Sequence, residues 1–180
     1  MKKILFIFDW DDTIFPTSYL SKYIIDFQNI DLSEYDNFLY KFFQKVSSFG
    51  NIMIITNASK QWIYQTLYYL PKTKELITQY RIISARDNAM TTLYSDKYEL
   101  WKVNTYNEYR RIINTYDIIF NIGDSMNEHQ ALKYLLDNKK ITHKTTITYK
   151  FMLNPNFTQL QVELYKFMIY IDRFFLEHEF

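Results

Sequence analysis

The sequence predicts a single α/β domain, a doubly wound and mainly parallel five-stranded sheet with helices on both faces. Three observations lead there. Five short apolar runs read as strands, segments with helical periodicity separate them, and 180 residues suffice for one buried core. The strands are expected at Ile4 to Phe8, Ile52 to Ile55, Arg81 to Ser84, Ile118 to Ile122 and Thr145 to Tyr149. The helices are expected at Leu32 to Phe49, Ser59 to Leu70, Leu100 to Tyr116, Asn127 to Asn138 and Phe157 to Glu177. In the last of these, Leu160, Leu164, Phe167, Met168, Ile171 and Phe175 recur every three or four residues, so one face should dock on the sheet. Pro16, Pro71 and Pro155 are placed between elements, where a missing N–H donor costs little. Of the two glycines, Gly50 suits a left-handed helix cap, and Gly123 marks a place where a side chain would obstruct something.

Composition narrows the function classes. The net charge is +1, from 21 basic and 20 acidic residues, so no global field draws in nucleic acid or a membrane surface. Nucleic acid is therefore expected at most as a substrate, and a charged ligand must be captured locally. The absence of cysteine excludes disulfides, thiolate metal sites and cysteine nucleophiles. The apolar start is broken by Asp9, and no run is long enough to cross a bilayer, so a soluble cytoplasmic protein is expected. The 17 Tyr and 15 Phe could tile a base-stacking surface, but filling a core is the more economical use.

In a doubly wound sheet, ligands bind beyond the carboxyl ends of the strands. Asp9, Asp11 and Thr13 follow the first strand, Thr56 and Asn57 the second, and Gly123, Asp124 and Glu128 the fourth. Taken singly, the acidic residues read equally well as loop carboxylates and helix N-caps, with Asp124 or Ser125 capping the helix that follows. Taken together, they place two acidic clusters and a hydroxyl with an amide on one edge. Asp9 and Asp124 can approach only if a cation neutralises them, and hard oxygen ligands with room for water suit Mg²⁺. Thr56 could donate to a phosphoryl oxygen, and a lysine from another element would balance its charge.

The stretch FDWDDT behind an apolar strand resembles the first motif of the haloacid dehalogenase-like hydrolases. Thr56 with Asn57 resembles the second motif, Trp101 with Lys102 the third, and GDSMNE, from Gly123 to Glu128, the fourth, in the same order. More narrowly, DWDDTIFPTSYL, ITNAS, ISAR and GDSMNEHQAL resemble a eukaryotic and viral group with little or no cap domain. The third motif is a single lysine, and Lys97 and Arg86 remain alternatives to Lys102.

This resemblance implies a phosphatase. Asp9 would attack phosphorus, and Asp11 would protonate the leaving oxygen and later activate water. Mg²⁺ would be held by Asp9, Asp124 and the backbone carbonyl of Asp11, with Glu128 acting through a water. Thr56, Asn57 and Lys102 would hold the phosphate. Neither Pro16 to Ile30 nor Asp87 to Glu99, the latter expected to be a loop, has room for more than a flap or minimal cap. The phosphorylated substrate is accordingly expected to be large, or the site covered by a neighbouring subunit in an oligomer. Arg86, just past the third strand, is placed to meet a second anionic group. Asp12 and Trp10 are expected to be ordinary.

Overall fold

A computed structural model describes residues 2–23, 30–89, 96–142 and 144–178. The strands are β1 (Ile4–Phe8), β2 (Asn51–Thr56), β3 (Arg81–Ser84), β4 (Ile118–Gly123) and β5 (Thr145–Lys150). The helices are α1 (Thr17–Tyr23), α2 (Ser33–Ser47), α3 (Lys60–Tyr68), α4 (Pro71–Ile77), α5 (Ala85–Ala89), α6 (Tyr98–Ile113), α7 (Met126–Asp137) and α8 (Phe157–Glu177). The sheet order is β3-β2-β1-β4-β5, and every pairing is parallel, so the fold is a doubly wound, Rossmann-like α/β domain. The chain winds outward from β1 to β3, then restarts on the other side of β1 with β4. The strand order therefore reverses between β1 and β4, beyond whose carboxyl ends sheets of this kind place a ligand crevice.

Strand alternation divides the core. Ile4, Phe6 and Phe8 of β1 join Ile52 and Ile54 of β2 and Phe120 and Ile122 of β4 on one face. Phe42 and Phe43 of α2 and Phe167 of α8 meet them there. Leu5, Ile7, Met53, Ile55 and Ile119 face the other way, against Tyr106 and Ile113 of α6 and Leu132 and Leu135 of α7. Many of the phenylalanines are thus core: the Phe6 and Phe120 rings stack at 4.8 Å, and Phe167 meets Phe8 edge-on at 5.9 Å.

Helix starts follow local chemistry. Ser59 and Ser125 cap α3 and α7 by accepting backbone N–H groups, and Asn156 with Gln159 forms a capping box on α8. Helix α4 is not predicted by periodicity. Pro71 does not lie between elements but opens this helix in its first turn, where a proline needs no N–H partner. Asp36 of α2 caps it from a distance, accepting from the backbone N–H of Lys72 at 2.9 Å and of Thr73 at 2.8 Å.

Gly50 also differs from expectation. Helix α2 ends at Ser47, and no glycine has positive φ. A Cβ on Gly50 would lie 2.7 Å from both the Cβ and the carbonyl oxygen of Ile4, so close approach to β1, not backbone handedness, accounts for it. Between β3 and α6, Asp87 to Ala89 are helical rather than loop, and Tyr98 and Glu99 already belong to α6. Residues 90–95, within the expected loop, and 24–29, within the expected flap, lie outside the described residues.

Candidate active site at the carboxyl ends of β1, β2 and β4

Asp9 is positioned by the sheet itself. Its N–H donates to the carbonyl of Ile122 at 2.9 Å, carrying the parallel pairing one residue past β1 and setting Asp9 beside the end of β4. Asp9 as a whole is 7% exposed. Its Oδ1 accepts from the Trp10 N–H at 2.7 Å, and its Oδ2 pairs with Lys102 Nζ at 2.8 Å.

Lys102 reaches this point from the second turn of α6 and is 2% exposed. It also pairs with Oε1 of Glu128, whose Oε2 accepts from the Ser125 hydroxyl at 2.7 Å. Burial alone would lower the Lys102 pKa, but the flanking charges of Asp9 and Glu128 outweigh it and raise the pKa above the usual 10.5. Lys97, by contrast, is an exposed residue at the start of α6, so the geometry brings Lys102 and not Lys97 to Asp9.

Gly123 explains how Glu128 gets in. A Cβ there would lie 2.5 Å from Glu128 Cδ, so the glycine expected to leave space for something leaves it for this carboxylate. Behind the ion pairs, Tyr106 donates to Asn121 Oδ1 at 2.7 Å, and Asn121 Nδ2 donates to the Glu128 carbonyl at 2.7 Å. This buried chain ties α6, β4 and α7 together and thereby fixes Lys102 relative to Glu128.

Asp124 has the opposite surroundings. It is half-buried and has no hydrogen bond among the described residues. Burial, then the charges of Asp9, Glu128 and Asp12, push its pKa from 3.8 up to about 7, with Lys102 only partly opposing. Glu128 is also raised, by burial first, against the pull of Lys102.

Asp11, two residues on from Asp9, is half-buried. Its Oδ1 accepts from the Thr17 hydroxyl at 2.5 Å and from the Trp62 indole N–H at 2.9 Å. Burial raises its pKa above the usual value; the Thr17 hydrogen bond opposes this, the Asp9 charge adds to it, and the Trp62 hydrogen bond opposes it again. Asp12 is structural, as expected: it takes φ 54°, which aspartate tolerates, and accepts from the Ser18 N–H at 2.9 Å. Trp10 is fully buried and donates to Thr66 Oγ1 at 3.1 Å.

At the end of β2, the buried Thr56 hydroxyl accepts from the Ala58 N–H at 3.0 Å, which leaves its hydrogen to donate. Asn57 Oδ1 and the Thr13 hydroxyl are buried without hydrogen-bond partners among the described residues. A cleft of roughly 320 Å³ runs outward from here, lined by Asp11, Thr17, Asn57, Ser59, Trp62 and Arg86. Arg86, exposed on α5, is therefore at the outer part of this cleft.

Among the described residues, no three of His, Cys, Asp and Glu are arranged to hold a metal ion by themselves. Lys102 engages both Asp9 and Glu128. Asp124, the remaining lone pairs of Asp9 and nearby carbonyl oxygen still fit a cation that keeps several waters and uses one or two carboxylates, as Mg²⁺ does. The hydrogen-bond-free, charge-crowded Asp124 is the observation that favours one.

Four neighbours of these residues were not predicted: Thr17, Trp62, Tyr106 and Asn121. Two carried a signal. Tyr106 lies one turn beyond Lys102 on the same helix, and Asn121 is a polar residue in the buried run IIFNIG. Trp62, 51 residues from Asp11 in sequence, carried none. No protein-family model, curated protein or solved structure matches the chain.

Proposed function

We propose that this protein is a Mg²⁺-dependent phosphatase that hydrolyses a phosphate monoester through an aspartyl-phosphate on Asp9. One observation carries the proposal. Two carboxylates two residues apart, at the end of the central strand, have different surroundings: Asp9 is paired with a buried ammonium, whereas burial raises the pKa of Asp11. Unequal environments are how paired carboxylates take unequal roles. The sequence resemblance to the haloacid dehalogenase-like hydrolases supports the same assignment.

In the first step, an Asp9 oxygen bonds to phosphorus and the ester P–O bond breaks. The departing oxygen takes the proton of Asp11. In the second step, Asp11 accepts a proton from water as that water attacks phosphorus, and the bond from Asp9 to phosphorus breaks, releasing inorganic phosphate. Lys102 and the Thr56 hydroxyl would hold the phosphoryl oxygens, together with Asn57. A Mg²⁺ held by Asp9, Asp124 and the Asp11 carbonyl, with Glu128 behind a water, would screen the nucleophile from the anion it attacks.

An enzyme that displaces halide, or an ion pump that takes its phosphoryl group from a nucleotide, has no poor alkoxide to protonate, so a carboxylic acid at Asp11 favours a phosphatase. The segments Pro16 to Ile30 and Ala85 to Lys97 are too short for a cap domain. Large phosphorylated substrates, whose own body excludes water, suit such a site. The test is phosphate release from a broad panel with and without Mg²⁺, beside Asp9→Asn. Release that needs Mg²⁺ and falls by about 10³-fold or more in the variant is expected. An Asn protein as fast as the parent would remove Asp9 as nucleophile. Absence of release by the parent from every substrate would favour a binding or scaffold protein.

A further inference from the structure

The cleft beside Asp11 contains a contact that the proposed chemistry has not used. Trp62 is half-buried and borders open space, so water could serve its indole N–H, yet that N–H is aimed at Asp11 Oδ1 at 2.9 Å. The Thr17 hydroxyl donates to the same oxygen at 2.5 Å. The indole is fixed from two further directions. Its own backbone N–H is bound to the Ser59 hydroxyl at 3.2 Å, and its ring meets Phe15 edge-on at 6.2 Å.

Two donors on one carboxyl oxygen leave no room for a proton there, and Oδ2 has no hydrogen bond among the described residues. We infer that Trp62, acting with Thr17, is the positioning residue for the acid: it holds Asp11 Oδ1 as an acceptor, so that the transferable proton is carried on Oδ2. The inference rests on Asp9 and Asp11 being nucleophile and acid. As the ester P–O bond breaks, its electron pair goes to the ester oxygen, and that oxygen takes the hydrogen from Oδ2. Asp11 is left as a carboxylate whose Oδ1 keeps both hydrogen bonds. When water attacks, its proton returns to Asp11, and the same two donors hold the carboxyl group in place between the steps. Trp62 also belongs to α3, which begins just after Thr56 and Asn57, so the segment that offers a phosphate donor carries the residue that aims the acid.

A purely structural tryptophan and a positioning one differ in their dependence on the leaving group. p-Nitrophenolate departs without a proton, whereas an alkoxide needs one. The experiment measures kcat/KM of the Mg²⁺-supplied protein for p-nitrophenyl phosphate and for a simple alkyl phosphate, in the parent and in Trp62→Phe. A second variant replaces Trp62 with benzothienylalanine, which keeps the ring volume against Phe15 and lacks only the N–H. In both variants the alkyl-to-nitrophenyl ratio should fall by about tenfold or more, within the range that general acids contribute. Thr17→Val should move the ratio in the same direction. An equal fall for both substrates, or an unchanged ratio in the benzothienylalanine protein, overturns the inference while leaving the phosphatase assignment intact. Failure of the parent to release phosphate from these two esters and from every member of the broad panel, or undiminished turnover by Asp9→Asn, removes that assignment and this inference with it.

Discussion

Lys102 is where sequence, packing and chemistry meet most closely. Its stem is buried in the core between α6 and the sheet, and its ammonium faces Asp9 and Glu128. Such a group is costly to bury and costlier to remove, because deleting it leaves two buried carboxylates facing each other without a counter-charge. The pKa of Lys102 is raised, so its pairing is fully formed below its usual 10.5 and is lost only as pH climbs through the higher folded value. Lys102→Met should therefore lower stability near neutral pH by about 3–5 kcal/mol, read from urea unfolding. Combining it with Glu128→Gln should cost less than the sum of the two separate changes, since the charge left stranded by one is neutralised by the other. Strict additivity would mean that Lys102 and Glu128 do not interact.

At the scale of elements, helix α4 shows what local patterns miss. Its first turn has no acidic residue and no side-chain cap of its own, so nothing in the segment Pro71 to Ile77 announces a start except the proline. The cap comes from Asp36, buried on α2. Asp36→Ala would leave the N–H groups of Lys72 and Thr73 without their acceptor and should cost about 1–2 kcal/mol in urea unfolding. Asn at the same position should recover only part of this, because its single side-chain oxygen can accept from one of the two N–H groups while its NH2 cannot accept from the other. Strand ends were more legible. The first two apolar runs stop at Asp9 and Thr56, and the fourth at Gly123 just before Asp124, so ordering these residues by strand was enough to bring Asp9, Thr56 and Asp124 to one edge. The residues that orient them were not legible, because Trp62 and Asp11 are joined only by the packing of α3 against the loop after β1. Gly123 was legible for a physical reason: in a chain with 2 glycines, one at a strand end reports a close approach.

Across the whole molecule, the sheet separates the work of folding from the work proposed for the site. One face is an aromatic core around Phe167, the other is largely aliphatic, and the acidic cluster lies beyond both, where the strand order reverses. Charge gathered at that crevice still bears on global stability. With pKa about 7 in the folded protein and 3.8 as its ordinary value, Asp124 binds its proton more tightly folded than unfolded. Its contribution is therefore present at pH below 3.8 and is lost as pH rises through about 7. Metal-free protein in EDTA should lose melting temperature between about pH 5 and about pH 8, and Asp124→Asn should flatten that decline. Mg²⁺ needs the ionised carboxylate, so it should raise the melting temperature more at about pH 8 than at about pH 5, and less in the Asn variant at either pH. A calcium-free, magnesium-titrated series of melting curves reads all of these shifts. An equal Mg²⁺ response at both pH values, or an unchanged response in Asp124→Asn, would remove Asp124 from the metal site and leave its crowding unexplained.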